Sequence, residues 1–315
     1  MAAYRRRKRK APVWLSVIII IIAIAYFVMD YMGYSINDLM SLFGPEKEPV
    51  EGQIIVHIID VGQGDSILIE TPDGYMLIDA GTSDSKKALK AYLLEQGVEE
   101  IEYFVVTHAH ADHDGGAEMI FDEFEVKNII FEDYGYTGKK KQMFAESGAN
   151  IIDPELRDEY RLGDAVFTVL SSDIEDDTGD KNDYSVVLRL DYGESSFIFA
   201  GDATTYTEGI ILQEFTTYEL DCDFLKSGHH GSKTSSSVEF LEALTPDIVA
   251  ISCGAGNSYG LPKNEIIERY EEIGAEIHRT DRVCKVDNCA EAGCTHESQS
   301  LVYVSDGKTI IYQGK

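Results

Sequence analysis

Thr107-His108-Ala109-His110-Ala111-Asp112-His113-Asp114-Gly115-Gly116 follows directly on the apolar-rich segment Ile101–Val106. Three imidazoles and a carboxylate fall in six positions, His-x-His-x-Asp-His, in a chain with only 8 histidines. Imidazole and carboxylate together suit Zn(II), Mn(II) or Fe(II), and α/β proteins place their sites at strand ends. Alternate side chains of an extended segment share a face, so His108 and His110 are positioned to grip one ion. Asp112 and His113, at the turn into a helix that opens on Gly-Gly, address a second.

Outward from this cluster the chain alternates strands and helices. Strands are predicted over Ile54–Asp60, Ser66–Glu70 and Tyr75–Asp79, the last two joined by Thr71-Pro72-Asp73-Gly74, where Pro presets φ and Gly accepts positive φ. A helix over Lys86–Gln96 ends at Gly97, and Tyr103–Val106 is a buried strand. Further strands fall at Lys127–Phe131, Ala165–Leu170, Ser185–Leu190, Ser196–Ala200, Cys222–Lys226, Ile248–Ser252, Leu301–Val304 and Thr309–Gln313. Helices are expected near Lys139–Ser147 and over Thr204–Phe215, Ser236–Leu244 and Asn264–Ile273. Two mixed sheets with helices outside follow from this order. Between Val126 and Asp164 the pattern is irregular enough for a lid, and the acidic stretch Asp173–Asp183 lacks the spacing of a calcium loop and reads as a solvated loop.

The chain has 315 residues and a formal net charge of −29. Residues 1–10 hold six of the 27 Lys+Arg and no acid, so the remainder sets 21 basic against 56 acidic residues, a net −35. Such a surface repels phosphate backbones and disfavours a non-specific nucleic-acid binder, without excluding substrate phosphates met locally by metal. Val13–Met29 is an uncharged apolar run of nearly membrane-spanning length behind that basic cluster. The expected organisation is a basic cytoplasmic segment (1–12), a single-pass membrane anchor (13–30), a linker (31–51) and an exported domain (52–315). A cleaved signal peptide is the competing reading, on Ala23-Ile24-Ala25. Cys222 and Cys253 lie in apolar runs and read as buried thiols. For Cys284, Cys289 and Cys294 with His296, a disulfide, a structural metal and free thiols all remain open.

Two more segments complete a metal site. Phe197–Asp202 is a strand ending in a carboxylate, and one carboxylate can bridge two cations. Lys226-Ser227-Gly228-His229-His230-Gly231-Ser232 is another strand end, presenting two histidines. With Asp60–Ser66 (Asp-Val-Gly-Gln-Gly-Asp-Ser), Leu77–Gly81, Asn182–Ser185 and Ser252–Pro262, these pieces resemble the metallo-β-lactamase superfamily, and within it the ComEC-type competence proteins. The resemblance runs from about Gln53 to the C-terminus. It implies an αββα sandwich with one or two divalent ions, Zn or Mn, at one edge between the sheets. Carried over, the metal ligands are His108, His110, Asp112, His113 and the bridging Asp202, with His229 or His230 as ligand or proton donor. The branch carries Gly-His-Pro where this chain reads Gly260-Leu261-Pro262, so a ligand of the second ion is expected to be lost.

The expected chemistry is hydrolysis by a metal-activated water, with Asp112 accepting its proton and His230 the general acid. Lys233, Asn182 and Asn257 are the candidate substrate-binding residues, and Lys139–Lys141 a further phosphate contact. A phosphodiester such as DNA is the leading substrate class. A cell-envelope ester or small molecule, or a metal-binding protein with weakened catalysis, are the alternatives. The resembled competence proteins join this domain to a multi-span channel; with one apolar segment here, DNA uptake is not implied.

Overall fold

The computed structural model describes residues 52–172, 179–284 and 296–314. One sheet contains β1 (Ile54–Ile58), β2 (Ile67–Thr71), β3 (Gly74–Ile78), β4 (Glu100–Val106), β5 (Glu125–Phe131), β6 (Asn150–Ile152), β16 (Leu301–Ser305) and β17 (Ile310–Tyr312). Its strand order is β17-β16-β1-β2-β3-β4-β5-β6. The other contains β7 (Glu159–Leu162), β8 (Ala165–Ser171), β9 (Val187–Tyr192), β10 (Ser195–Phe199), β11 (Phe224–Lys226), β12 (Ile248–Ile251) and β13 (Glu276–Arg279). It runs β13-β12-β11-β10-β9-β8-β7. A short ladder, β14 (Val283–Cys284) with β15 (His296–Glu297), stands apart.

The period of two along each strand sorts side chains into three cores. Met76 and Ile78 of β3 meet Phe197 and Phe199 of β10 between the sheets. Leu77 and Phe104 face the other way, beneath Leu89 and Leu93 of the helix Lys86–Glu95. Ile198 and Leu225 likewise face the helices Thr205–Glu214 and Val238–Leu244 on the opposite flank. Helix, sheet, sheet, helix is the αββα sandwich expected from the sequence.

Both sheets change from antiparallel to parallel partway across. β3 to β6 are parallel in the first sheet and β10 to β13 in the second. The segments that follow β1, β3 and β4 therefore lie at one edge, as do those following β10, β11 and β12, and ligands gather at such carboxyl ends. Local rules hold where they were applied. Thr71 Oγ1 accepts from Asp73 N at 3.1 Å to close the hairpin, and Gly97 takes φ +77° while Val98 N returns to Leu93 O at 3.0 Å.

Two expectations change. The irregular stretch 126–164 is no lid: β6 extends the first sheet, β7 the second, and Phe144 of the helix Gly138–Glu146 is fully buried against Phe131 and Tyr136. Its short, polar strands lacked an alternation long enough to read. The end of the acidic stretch is not solvated either, since Asn182 and Asp183 are buried in a 3-10 turn over Lys181–Tyr184. Asp183 is held there by the hydroxyl of Thr204, while its carbonyl accepts from Thr207 Oγ1 at 2.8 Å. Cys222 and Cys253 are the buried free thiols expected, with burial pushing both thiols up. The expected anchor and linker, the acidic residues 173–178, Cys289 and Cys294 lie outside the described residues. Among the described residues no helix is long and apolar enough to cross a membrane.

One buried histidine makes stability pH-dependent. His57 on β1 is 2% exposed, and burial lowers it from 6.5 to about 4. Between those values the unfolded chain binds a proton that the folded chain refuses, so stability is whole above pH 6.5 and falls toward pH 4. Thermal melts are expected to show an acid loss of about 3 kcal/mol in the wild type that His57→Gln lacks.

Candidate metal centre

Three strand ends supply the centre. After β4 the chain bends at His108 and Ala109, where His110 N donates to His108 O at 3.0 Å, and this tight turn rather than the extended geometry expected brings His108 Nε2 to 3.0 Å from His110 Nδ1. One turn later, in the helix Ala111–Asp114, Asp112 and His113 point back toward the same edge. Asp202 follows β10, its backbone N–H donating to Ser185 Oγ at 3.2 Å. His229 and His230 follow β11 in left-handed backbone, φ 47° and 55°. That conformation costs non-glycine residues about 1–3 kcal/mol each. The cost is offset by His229 N donating to Gly201 O at 3.0 Å and His230 Nδ1 donating to Ser252 O at 3.0 Å.

The two oxygens of Asp202 face two donor groups. Oδ1 lies 3.3 Å from His113 Nε2 and 3.6 Å from His230 Nε2. Oδ2 lies 3.8 Å from His108 Nε2 and 3.6 Å from His229 Nε2. Ligand atoms of Asp112, His113, Asp202 and His230 all fall within 4.8 Å of one another. Three of those atoms, His113 Nε2, Asp202 Oδ1 and His230 Nε2, are buried without a hydrogen-bond partner. Orphaned polar atoms are costly unless something meets them. Their convergence fits a divalent ion, with Asp202 shared toward His108, His110 and His229. Leu261 lines the cavity as expected from its place in the motif, and ligand atoms of Asp112, His113, Asp202 and His230 lie together without a contribution from residue 261.

The surrounding hydrogen bonds choose the tautomers. Asp79 is fully buried, and its Oδ2 accepts from His113 Nδ1 at 2.7 Å, which leaves Nε2 as the donor atom to the centre. The same carboxylate takes Thr107 N at 2.8 Å and Thr107 Oγ1 at 2.7 Å, and that hydroxyl in turn accepts His108 Nδ1 at 3.1 Å. Behind His230, Asp65 Oδ1 stands 3.3 Å from Nδ1, and Asp65 Oδ2 accepts from the fully buried Lys226 Nζ at 2.8 Å. Burial opposes charge on His113, but Asp202 and Asp79 outweigh it and hold it well above the ordinary imidazole range. His230 is raised to about 10, Asp202 and Asp65 overcoming burial in the same way. Burial dominates at His108, which is held well below its ordinary value. Asp79→Asn presents an amide N–H to His113 Nδ1 and favours the wrong tautomer. Divalent-metal affinity measured against a chelator is expected to fall about 10–100-fold.

The remaining expected residues separate. Asn182 lines the cavity together with Gln63, His110, Asp112, Asp202, His229, His230 and Leu261, around a volume of about 290 Å³. Asn257 does not line it: its Nδ2 donates to Gly254 O at 2.9 Å and Leu261 O at 2.7 Å, and its Oδ1 accepts Leu261 N at 3.0 Å, so its amide shapes the loop. Lys233 is exposed and does not line the cavity. Lys140 pairs with Asp114 and Lys141 with Asp133. Asp79, Thr107, Asp65, Lys226 and Gln63 were not singled out by residue type. The signal available for them was their position within the short motifs flanking the ligands.

A model of the metallo-beta-lactamase superfamily matches residues 59–255. ComE operon protein 3 of Bacillus subtilis is 31% identical over 250 residues, 72% of this chain and 32% of that protein. Competence protein ComA of Neisseria gonorrhoeae is 31% identical over 240 residues, 76% of this chain and 32% of that one. The chain thus spans about a third of the length of these relatives. Among solved structures, the metallo-beta-lactamase fold protein YhfI from Bacillus subtilis superposes with a TM-score of 0.52 at 11% identity, over 80% of this chain and 100% of that one.

Proposed function

The chain belongs to the metallo-β-lactamase superfamily, in its ComEC-type branch, and we propose that its centre is a metal-dependent phosphodiesterase. The observation that carries this is Asp202, whose two oxygens face two separate sets of histidines. Asp112, His113, Asp202 and His230 would hold one ion, and His108 and His110 with the second oxygen of Asp202 the other. Divalent ions bound there supply Lewis acidity and a water acidified to near neutrality.

The chain's own groups do the rest. Asp112 is one-third exposed and faces the cavity, placed to accept a proton from the attacking water. His230, expected as the general acid, has its Nδ1 engaged by Ser252 and its Nε2 buried among carboxylates, which suits a ligand. His229 is 24% exposed, its Nδ1 lies 2.9 Å from Thr234 Oγ1 and its ring lines the cavity; with the Thr234 hydroxyl donating to Nδ1 the proton sits on Nε2, so we assign the leaving-group proton to it. His229→Ala is expected to lower kcat by about 10²–10⁴-fold while bound metal is unchanged. Loss of metal from that variant would make His229 a ligand instead.

The relatives' names tie this branch to competence, which supports a nucleic-acid phosphodiester. The net −35 beyond residue 10 supports a short or single-stranded substrate over a long duplex. The basic residues 5–10 ahead of the apolar run 13–29 support an anchored domain facing out of the cell. Incubating the Mn(II)- or Zn(II)-loaded protein with single-stranded DNA, duplex DNA and bis-p-nitrophenyl phosphate tests the reading. Cleavage abolished by chelation is expected. Hydrolysis of carboxylic esters with none of the phosphodiesters would replace it.

A further inference from the structure

Within the cavity, besides the Asn182 amide and the Tyr259 hydroxyl, a third polar side chain offers a hydrogen-bond donor that the chemistry so far does not use. Gln63 lines the wall beside His110, Asp112 and His229. Its Oε1 accepts from Gly254 N at 3.2 Å. A backbone N–H can be met only by the amide oxygen, so this contact fixes which end of the amide is which. The NH2 is left with no protein partner among the described residues.

The mount beneath it is stiff. Asp65 N donates to Asp112 O at 3.1 Å and Ser252 Oγ to Gly64 O at 2.7 Å, on the C-terminal side of the residue. Gly64 sits at φ +145°, and a Cβ there would come within 2.3 Å of Asp112 O. A Cβ on Gly254 would lie 2.8 Å from Gln63 N. The Gln63 backbone is therefore locked between the metal-ligand loop and the loop after β12, so its amide is held in place before substrate arrives. A donor held this way avoids an ordering cost when it binds.

The need for such a donor follows from charge. Asp112 and Asp202 are on the wall, and among the described residues no Lys or Arg lines it. An anionic oxygen not bound to metal needs a neutral N–H here. We propose that the Gln63 NH2 binds a non-bridging oxygen of the substrate's phosphoryl group, making Gln63 a substrate-positioning residue.

This rests on the phosphodiesterase reading, and two substitutions test it separately. Gln63→Leu removes both the donor and the acceptor. Gln63→Glu keeps an oxygen for Gly254 N but turns a second carboxylate oxygen on the substrate. Each variant and the wild type are loaded with Mn(II) and assayed for bound metal, bis-p-nitrophenyl phosphate turnover and binding of inorganic phosphate by calorimetry. With metal content unchanged, Gln63→Leu is expected to weaken phosphate and raise KM about tenfold. Gln63→Glu is expected to weaken both by about 100-fold or more, the greater loss because it adds repulsion. The reverse order, with Glu near wild type and Leu damaged, would assign Gln63 to holding Gly254 and overturn the proposal, as would two variants matching wild type. Phosphate binding that depends on Gln63 without any diester turnover would count against the proposed reaction and leave this inference standing.

Discussion

Asp202→Ala is expected to leave the domain folded, empty of divalent metal, and about 10³-fold or more slower as a hydrolase. Asp202 is 2% exposed, and each of its oxygens faces a different pair of imidazoles. Alanine therefore removes a donor from both positions at once, whereas replacing Asp112 removes one from the buried position alone. Metal contributes several kcal/mol to a hydrolytic transition state, and about 4 kcal/mol corresponds to the stated factor. Burial raises the cost of charge on Asp202, yet His113 and His230 hold its carboxyl well below the ordinary range. It is ionised at every working pH, as a shared ligand must be. Metal analysis after dialysis, run beside the rate, checks the result: a metal-replete Asp202→Ala protein would remove Asp202 from the bridge.

Lys226→Met is expected to be the most destabilising single change near the centre that touches no ligand. Lys226 and Asp65 are both fully buried and joined at 2.8 Å. Removing one partner strands the other's charge, which costs about 3–5 kcal/mol. At roughly 2–4 °C per kcal/mol for a domain of this size, Tm should fall by about 6–20 °C. Burial alone would raise Asp65, and Lys226 with His230 reverses that and holds it low. Its contribution is thus present above the unfolded value of about 3.9 and is lost as pH falls below it. The paired change Asp65→Asn with Lys226→Met leaves no buried charge at this pair and should recover most of the loss in thermal melts. Metal affinity should recover less, because the asparagine no longer presents a carboxylate to His230 Nδ1.

What could be read from the residues, and what could not, divides along physical lines. His108, His110, Asp112 and His113 are close in sequence, so their clustering was legible, but the backbone bends at His108 and Ala109 instead of running extended as expected. The strands that carry Asp202 and His229–His230 showed clear apolar runs, and the motif order placed them at one edge. The tautomer-setting carboxylates were not legible in the same way. Asp79 lies 34 positions from His113 and Asp65 161 from Lys226; the first contact depends on β3 pairing with β4 and the second on how the two sheets stack. Leu261 shows the opposite limit. A motif departure pointed to the cavity wall, but which donors stand together beside it depends on how Asp112, His113, Asp202 and His230 are brought in from separate strand ends. Asn257, polar and in a matching motif, proved to be a loop brace, which residue type alone does not reveal.

The central claim is that one carboxylate joins two metal positions into a single phosphodiester-hydrolysing centre. Its most direct test is to titrate the metal-free protein with Mn(II) while following bis-p-nitrophenyl phosphate turnover per chain, wild type beside Asp202→Ala. Turnover is expected to rise with bound metal, level off at two ions per chain in the wild type, and stay at the metal-only blank in the variant. A wild-type protein that binds its ions and still turns over no diester, or an Asp202→Ala protein that matches it, would contradict the account.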